Sequence, residues 1–210
     1  MKRVLLTVLT LLAAWSARAD ERSAKTLAAM NAAIKALGTY ELTFTVSAAD
    51  EFNPMDGRCI VSGNSYNIWL PTGSLFGDDK SACKVDPSMM TVTLMKPDPR
   101  NHNLLSNPAK AFELLDGSFT HKYIGQAKIN GKDCDQIELT PSDKTLPISK
   151  MTLYIALRGS LPVAVRYTID GLSSPVAIDI KTMKSLPQVD RSKFTFDKKR
   201  YNGYEIIDLR

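Results

Sequence analysis

Residues 39–47 read TYELTFTVS. Tyr40, Leu42, Phe44 and Val46 alternate with Glu41, Thr43, Thr45 and Ser47. A period of two, rich in aromatic and β-branched residues, marks a strand that buries one face and shows the other to water. Just upstream the period is different. In SAKTLAAMNAAIKALG (23–38), Leu27, Met30, Ile34 and Leu37 recur at spacings of 3, 4 and 3, one stripe of a helix. Ser23 stands where an N-cap would, and Gly38 where a helix would end. The stripe is narrow and flanked by alanines, which suits a helix lying on a sheet.

Downstream, the strand pattern repeats in GRCIVSG, SYNIWL, MMTVTLM, HKYIGQAKI, CDQIELT, SKMTLYIAL, PVAVRYTID and PVAIDIKTM. Turns at Gly63-Asn64, Asn130-Gly131, Arg158-Gly159-Ser160 and Asp170-Gly171 separate several of them. With a short stretch around Ala82–Val85 and the C-terminal segment, about eleven strands are expected. Close spacing with tight turns implies an antiparallel meander rather than βαβ units. One segment breaks the rhythm. PDPRNHNLLSNPAKAFELLDG (97–117) is turn-rich, and a helix is expected over 107–116, where Asn107 can cap and Pro108 fits the first turn. Ala111, Phe112, Leu114 and Leu115 form its apolar side, with Lys110 and Glu113 toward water.

MKRVLLTVLTLLAAWSARAD (1–20) has a basic start, an apolar stretch from Val4 to Trp15 and the small-x-small site Ala17-Arg18-Ala19. That is the form of a secretory signal peptide, cut after Ala19, with one domain over 20–210. Its apolar stretch falls short of the roughly 20 residues a membrane span needs. The cut removes Lys2, Arg3 and Arg18 from 27 basic residues and leaves 24 against 22 acidic ones. The pI near 9.0 therefore gives no reason to expect a nucleic-acid partner. Cys59, Cys83 and Cys134 are an odd count with no CxxC or zinc-finger spacing, and read as small buried apolar residues. In a simple meander SYNIWL separates the strands of Cys59 and Cys83, roughly 9.6 Å apart against a bridging limit of about 7 Å, so no bond is expected there.

The order of these segments resembles the periplasmic outer-membrane lipoprotein carrier (LolA-like) family over nearly all of the chain after residue 19. The resemblance rests on the N-terminal helix leading into TYELTFTVS, then GRCIVSGNSYNIW, DDKSACKVDP (Asp78–Pro87) and SNPAKAFELL, then Leu139-Thr140-Pro141. It ends on KFTF (Lys193–Phe196) and Gly203–Asp208, which match the family's last strand. Where many members have Lys-Arg-Pro, whose arginine holds a lid, this chain has Ser62-Gly63-Asn64; Cys83 stands near the family's tryptophan. The resemblance implies an α+β fold: a strongly curved, incomplete antiparallel β-barrel with the 24–37 and 107–116 helices covering its concave face. It places the C-terminal segment at a sheet edge blunted by charge.

No catalytic constellation is present. His102 and His121 lie 19 apart, and there is no HExxH, GxSxG or phosphate-binding glycine loop. The turn Gly77–Ser81 reads as a solvated turn rather than a calcium site. No enzyme activity, cofactor or metal is expected. Binding an acyl chain needs only apolar volume, at about 0.8 kcal/mol per buried methylene, or about 12 kcal/mol for a C16 chain. Release then requires a lid that opens, here Ala111, Phe112, Leu114 and Leu115. Candidate lining residues are Leu42, Phe44 and Val46 on the first strand, and Ile68, Val92 and Leu94 further on. Leu153, Ile155, Val163, Val165 and Ile178 complete the set. The alternative is that these are ordinary sheet core. The resemblance implies a monomeric periplasmic carrier of acylated lipoproteins. Its partners would be an inner-membrane ABC-type releasing complex and an outer-membrane acceptor. A lipid- or lipoprotein-sensing module on the same fold is the alternative function.

Overall fold

The computed structural model describes residues 21–98 and 100–210; the signal-peptide reading of 1–19 lies outside the described residues. Helix α1 runs from residue 21, the first described, to residue 37. Gly38, at φ 65°, ends it with its N–H on the Lys35 carbonyl. Ser23 is not the cap: it lies inside α1, fully buried, with Oγ 2.8 Å from His121 Nδ1.

Among the described residues twelve strands follow, one more than expected. They are β1 (Tyr40–Ala48), β2 (Phe52–Ser62), β3 (Ser65–Leu70), β4 (Gly73–Gly77), β5 (Ala82–Asp86), β6 (Thr91–Met95), β7 (Phe119–Ile129), β8 (Lys132–Pro141), β9 (Ile148–Ala156), β10 (Pro162–Ile169), β11 (Val176–Ser185) and β12 (Glu205–Asp208). The additional strand is β4, GSLFG. It is short and bounded by glycines at φ 146° and 157°. A Cβ on Gly73 would lie 2.2 Å from the Val85 carbonyl oxygen, and one on Gly77 2.1 Å from that of Ser81. Only glycine fits either place.

The sheet is not a simple meander. Its order is β12-β6-β5-β4-β3-β2-β1-β11-β10-β9-β8-β7, and its two edges do not pair. Strands β2–β6 form one meander and β7–β11 another, joined where β1 lies between β2 and β11. The C-terminal strand is an edge as expected, but it pairs in parallel with β6, Glu205 opposite Thr91. Charge blunts it: Arg210 pairs with Asp208.

This order positions everything that follows. The connection from β6 to β7 (96–118) must pass from beside one edge of the sheet to the other. It and α1 pack on the same face. The main cluster joins Leu27, Met30 and Ile34 of α1, Leu104, Phe112 and Leu114 of the connection, and apolar residues of β1–β3 and β8–β11. A second, smaller cluster lies on the opposite face. There Phe76, Cys83, Val85, Val92 and Leu94 pack under Phe196, Tyr201, Tyr204 and Ile206. Tyr201 stacks between Phe76 and Phe196. Asn67 donates to the Lys193 carbonyl at 2.5 Å and ties this C-terminal wrap down.

The expected helix over 107–116 is absent. The segment is a chain of turns, with Lys110 N–H on the Asn107 carbonyl (3.1 Å) and Glu113 N–H on that of Lys110 (3.0 Å). Inside it the Lys110 carbonyl is bound by the His102 ring (Nδ1 at 2.9 Å), and just upstream of it backbone groups are bound by side chains. The Tyr167 hydroxyl accepts from Leu104 N–H (3.1 Å), and the Asn103 side chain from Leu105 N–H (2.8 Å). Fewer than three turns lie between Pro108 and Gly117, too few to repay nucleation without tertiary support. Among the described residues one helix covers the face, not two.

Candidate functional site

Strand register defines the concave face. From β1 to β6, directly opposed residues run Leu42, Cys59, Ile68, Leu75, Lys84, Thr93. Opposed residues project to the same side of a sheet and sequence neighbours to the other. Thr93 therefore shares the face of Leu42, whereas Val92 and Leu94 point away from it, into the second cluster. The expectation that Val92 and Leu94 line the concave face is corrected. Alternation in MMTVTLM is clear; which face is buried is not readable locally, because the C-terminal wrap supplies apolar partners on the far side.

Leu42, Phe44, Val46, Ile68, Leu153, Ile155, Val165 and Ile178 all belong to the main cluster, each no more than 2% exposed. Val163 is buried outside both clusters, at the irregularity where β10 meets β9. Phe44 lies over Gly57: a Cβ there would stand 2.4 Å from its ring. In this closed state the centre of the face is packed core.

The connection closes over it. Ala111, Phe112 and Leu114 face inward, and Glu113 outward. Leu115, expected to face inward, is 42% exposed. His102 organises the segment. Its Nδ1 is 2.9 Å from the Lys110 carbonyl and must donate, since a carbonyl only accepts. Its Nε2 is buried without a hydrogen-bond partner and faces the Asp116 carboxylate at 3.6 Å. Its ring meets Phe119 edge-on at 5.2 Å. Asn64 donates to the Asp79 carboxylate at 3.1 Å. Tyr167, on β10, holds the connection through Leu104.

Two grooves flank the closed centre. One, of about 680 Å³, lies between the end of α1 and the connection, with Ile34, Tyr40, Val61, Phe112 and Leu115 in its walls. The other, of about 470 Å³, runs along the concave side of β3–β6 beneath Leu105. Ile68, Leu70 and Leu75 form its apolar floor, and Lys84, Lys96 and Asn101 lie along it. Tyr66 also lines it, its hydroxyl buried without a partner; burial pushes this phenol up to about 12. Of the lining residues expected from the sequence, Ile68 lies in this second groove. Leu70 and Leu75 carry a period-two signal across β3 and β4, which recognition of β4 would have revealed.

Burial raises the Cys59, Cys83 and Cys134 thiols, and the three remain unpaired. Cys59 and Cys83 lie three strands apart, not two. Among the described residues no helix is long and apolar enough to cross a membrane, and no cluster of side chains could hold a metal ion.

No protein-family model and no curated protein matches the chain. Solved structures do. A domain named for outer membrane lipoprotein sorting, from Vibrio parahaemolyticus, matches with a TM-score of 0.51 at 12% identity, over 87% of this chain and 99% of that one. An uncharacterized conserved protein from Thermus thermophilus matches with a TM-score of 0.57 at 7% identity, over 85% and 96%. A DUF1329 family protein from Desulfovibrio piger matches with a TM-score of 0.51 at 12% identity, over 84% and 97%. At these identities the likeness is one of fold: the half-barrel is LolA-like.

Proposed function

We propose that the protein is a periplasmic carrier that takes the acyl chains of lipoproteins on its concave face. It receives them from an inner-membrane ABC-type releasing complex and delivers them to an outer-membrane acceptor. One observation carries this reading: a continuous apolar sheet face is closed in part by a segment without regular structure. That segment makes most of its hydrogen bonds within itself and is bordered by an apolar groove. Opening it would exchange buried side-chain contacts for alkyl contacts of similar worth, so capture and release can both be near balance. No bond is made or broken, and the reading requires no cofactor.

Leu75→Asp tests it. Leu75 is half-buried on the groove floor, so a carboxylate there stays hydrated in the empty protein and the fold should hold. Binding of a diacylated lipoprotein should weaken by about tenfold or more, because the charge would lie against alkyl chain. A folded variant that binds as wild type does would reject the concave face as the acyl site.

A further inference from the structure

The β3–β6 groove differs from a plain hydrophobic cleft in one respect: two lysines without ion-pair partners border its apolar floor. Lys84 projects to the concave side as the cross-strand partner of Thr93, in the row that begins at Leu42. Lys96 lies at the end of β6 on the same groove. Among the described residues neither lysine is in an ion pair. Asp98 is the groove's carboxylate, and Arg100 already pairs with it at 3.0 Å. Asp86, which feels Lys84, caps the turn after β5 through Ser88 and Met89. Two cations without an ion-pair partner thus stand beside an apolar floor.

A second observation points the same way. The Tyr66 hydroxyl is fully buried on this groove and has no partner. A buried donor without an acceptor costs free energy unless a ligand supplies one.

We propose that this groove binds an anionic amphiphile. Its alkyl chain lies along Ile68, Leu70 and Leu75, its carboxylate or phosphate sits between Lys84 and Lys96, and an oxygen at that end accepts from Tyr66. The inference rests on the concave face being an acyl-binding surface, and adds to it a preference for negative charge at the polar end. A fatty carboxylate and a phosphate-headed lysolipid share this chemistry.

The test is a set of fluorescence-displacement titrations at low salt on the chain without residues 1–19. The probes are oleate, methyl oleate and 1-oleoyl lysophosphatidate. Wild type should bind at least one anionic probe about fivefold more tightly than methyl oleate, the scale of two solvent-facing charge contacts. Lys84→Met with Lys96→Met should bring that ratio to about one. Tyr66→Phe should weaken anion binding while leaving thermal stability equal or higher, because it deletes an unsatisfied hydroxyl. An advantage for oleate alone assigns a free fatty acid; a greater advantage for lysophosphatidate assigns a phospholipid headgroup. Equal binding of all three probes to wild type overturns the inference and spares the acyl-carrier reading. Failure of all three to bind overturns both.

Discussion

Helix α1 and the connection from β6 to β7 cover the same apolar face, but they are fastened differently. Near its first described turn, α1 is tied by a converging set of bonds. Asp135 of β8 accepts from Arg22 (3.0 Å), Thr26 (3.3 Å) and Tyr123 (3.0 Å), and Arg22 lies over the Tyr123 ring at 4.0 Å. Ser23 meets His121. At the far end Ser185 donates to the Leu37 carbonyl at 2.8 Å. Its own backbone is satisfied helically, so these bonds add to a regular element. The connection is held by apolar packing, by Tyr167, and towards its ends by Arg100 on Asp143 (2.9 Å) and by Ser142 on the Gly117 and Ser118 carbonyls; most of its remaining bonds are internal, such as His102 to Lys110 and Asn101 to Ser106. A segment that satisfies itself can leave the sheet as a unit without exposing many unpaired groups. The contrast assigns α1 as fixed wall and the connection as the moving part.

The largest effect is expected where both covers meet the sheet. Phe44 is fully buried above Gly57, so Phe44→Asp puts an unpaired carboxylate in closed core, at a cost of about 4 kcal/mol or more. Thermal unfolding should show a chain that is largely unfolded or melts at a much lower temperature. A well-folded variant would mean that the centre of the face is already open to water. The comparison of covers would then concern a cavity and not a core.

Asp135→Ala comes next, at about 2–3 kcal/mol, since it frees three donors and leaves Arg22 without its partner. Hydrogen exchange should speed up in α1 before it does so in residues 100–114. The reverse order would break the assignment of α1 as the fixed wall. Tyr167→Phe is the complementary change. It leaves Leu104 N–H without its acceptor and should cost about 1–2 kcal/mol. Its exchange signature should be confined to the connection, with α1 unaffected.

Much of this contrast was legible in the chain and part of it was not. Spacing alone placed α1, because Leu27, Met30, Ile34 and Leu37 share one helical stripe, and it placed most strands, because periods of two persist through them. What failed was non-local. Nothing near Val92 says that the C-terminal wrap will lie on its side of the sheet. Nothing near Glu205 says that it will pair in parallel with Thr91. GSLFG was missed because its two glycines read as punctuation, whereas they are needed for close approach to β5 and the turn before it. The 107–116 segment has the cap and apolar residues of a helix, but His102, on a preceding turn, takes its Lys110 carbonyl, and Tyr167, distant in sequence, holds the chain just ahead of it at Leu104. The candidate site was half visible. The closed centre followed from alternation, but the β3–β6 groove depends on β4 and on register across strands.

Acid titration provides a control lying outside both covers. Burial raises the Glu41 carboxyl, but the hydrogen bonds and charges of Arg58 and Lys184 outweigh it and hold its pKa below the ordinary value of 4.5. A carboxylate depressed in the folded state stabilises above its unfolded pKa and loses that contribution as pH falls through the folded value. Glu41→Gln should therefore flatten the loss of stability below about pH 4.5 without changing exchange in either cover. Faster exchange in α1 or residues 100–114 of this variant at neutral pH would show that the convex face communicates with the covers.

The smallest expected effect, that of Leu115→Ala set against its neighbour Leu114→Ala, tests the orientation of the connection itself. Had 107–116 been a helix laid on the sheet with both leucines inward, Leu114 and Leu115 would have cost similar amounts on truncation. In the observed turns Leu114 is fully buried in the main cluster, and Leu115 is 42% exposed on the groove beside the end of α1. Leu114→Ala should cost about 2–4 kcal/mol, the range for emptying a packed site, and Leu115→Ala about 0.5 kcal/mol or less. Chemical denaturation of the two single variants gives the ratio directly, because both truncations remove the same atoms from adjacent positions. A Leu115→Ala loss near that of Leu114→Ala would mean that the connection packs in solution as the regular helix its sequence suggested. It would then be a second fixed wall, and the distinction between the two covers would fail.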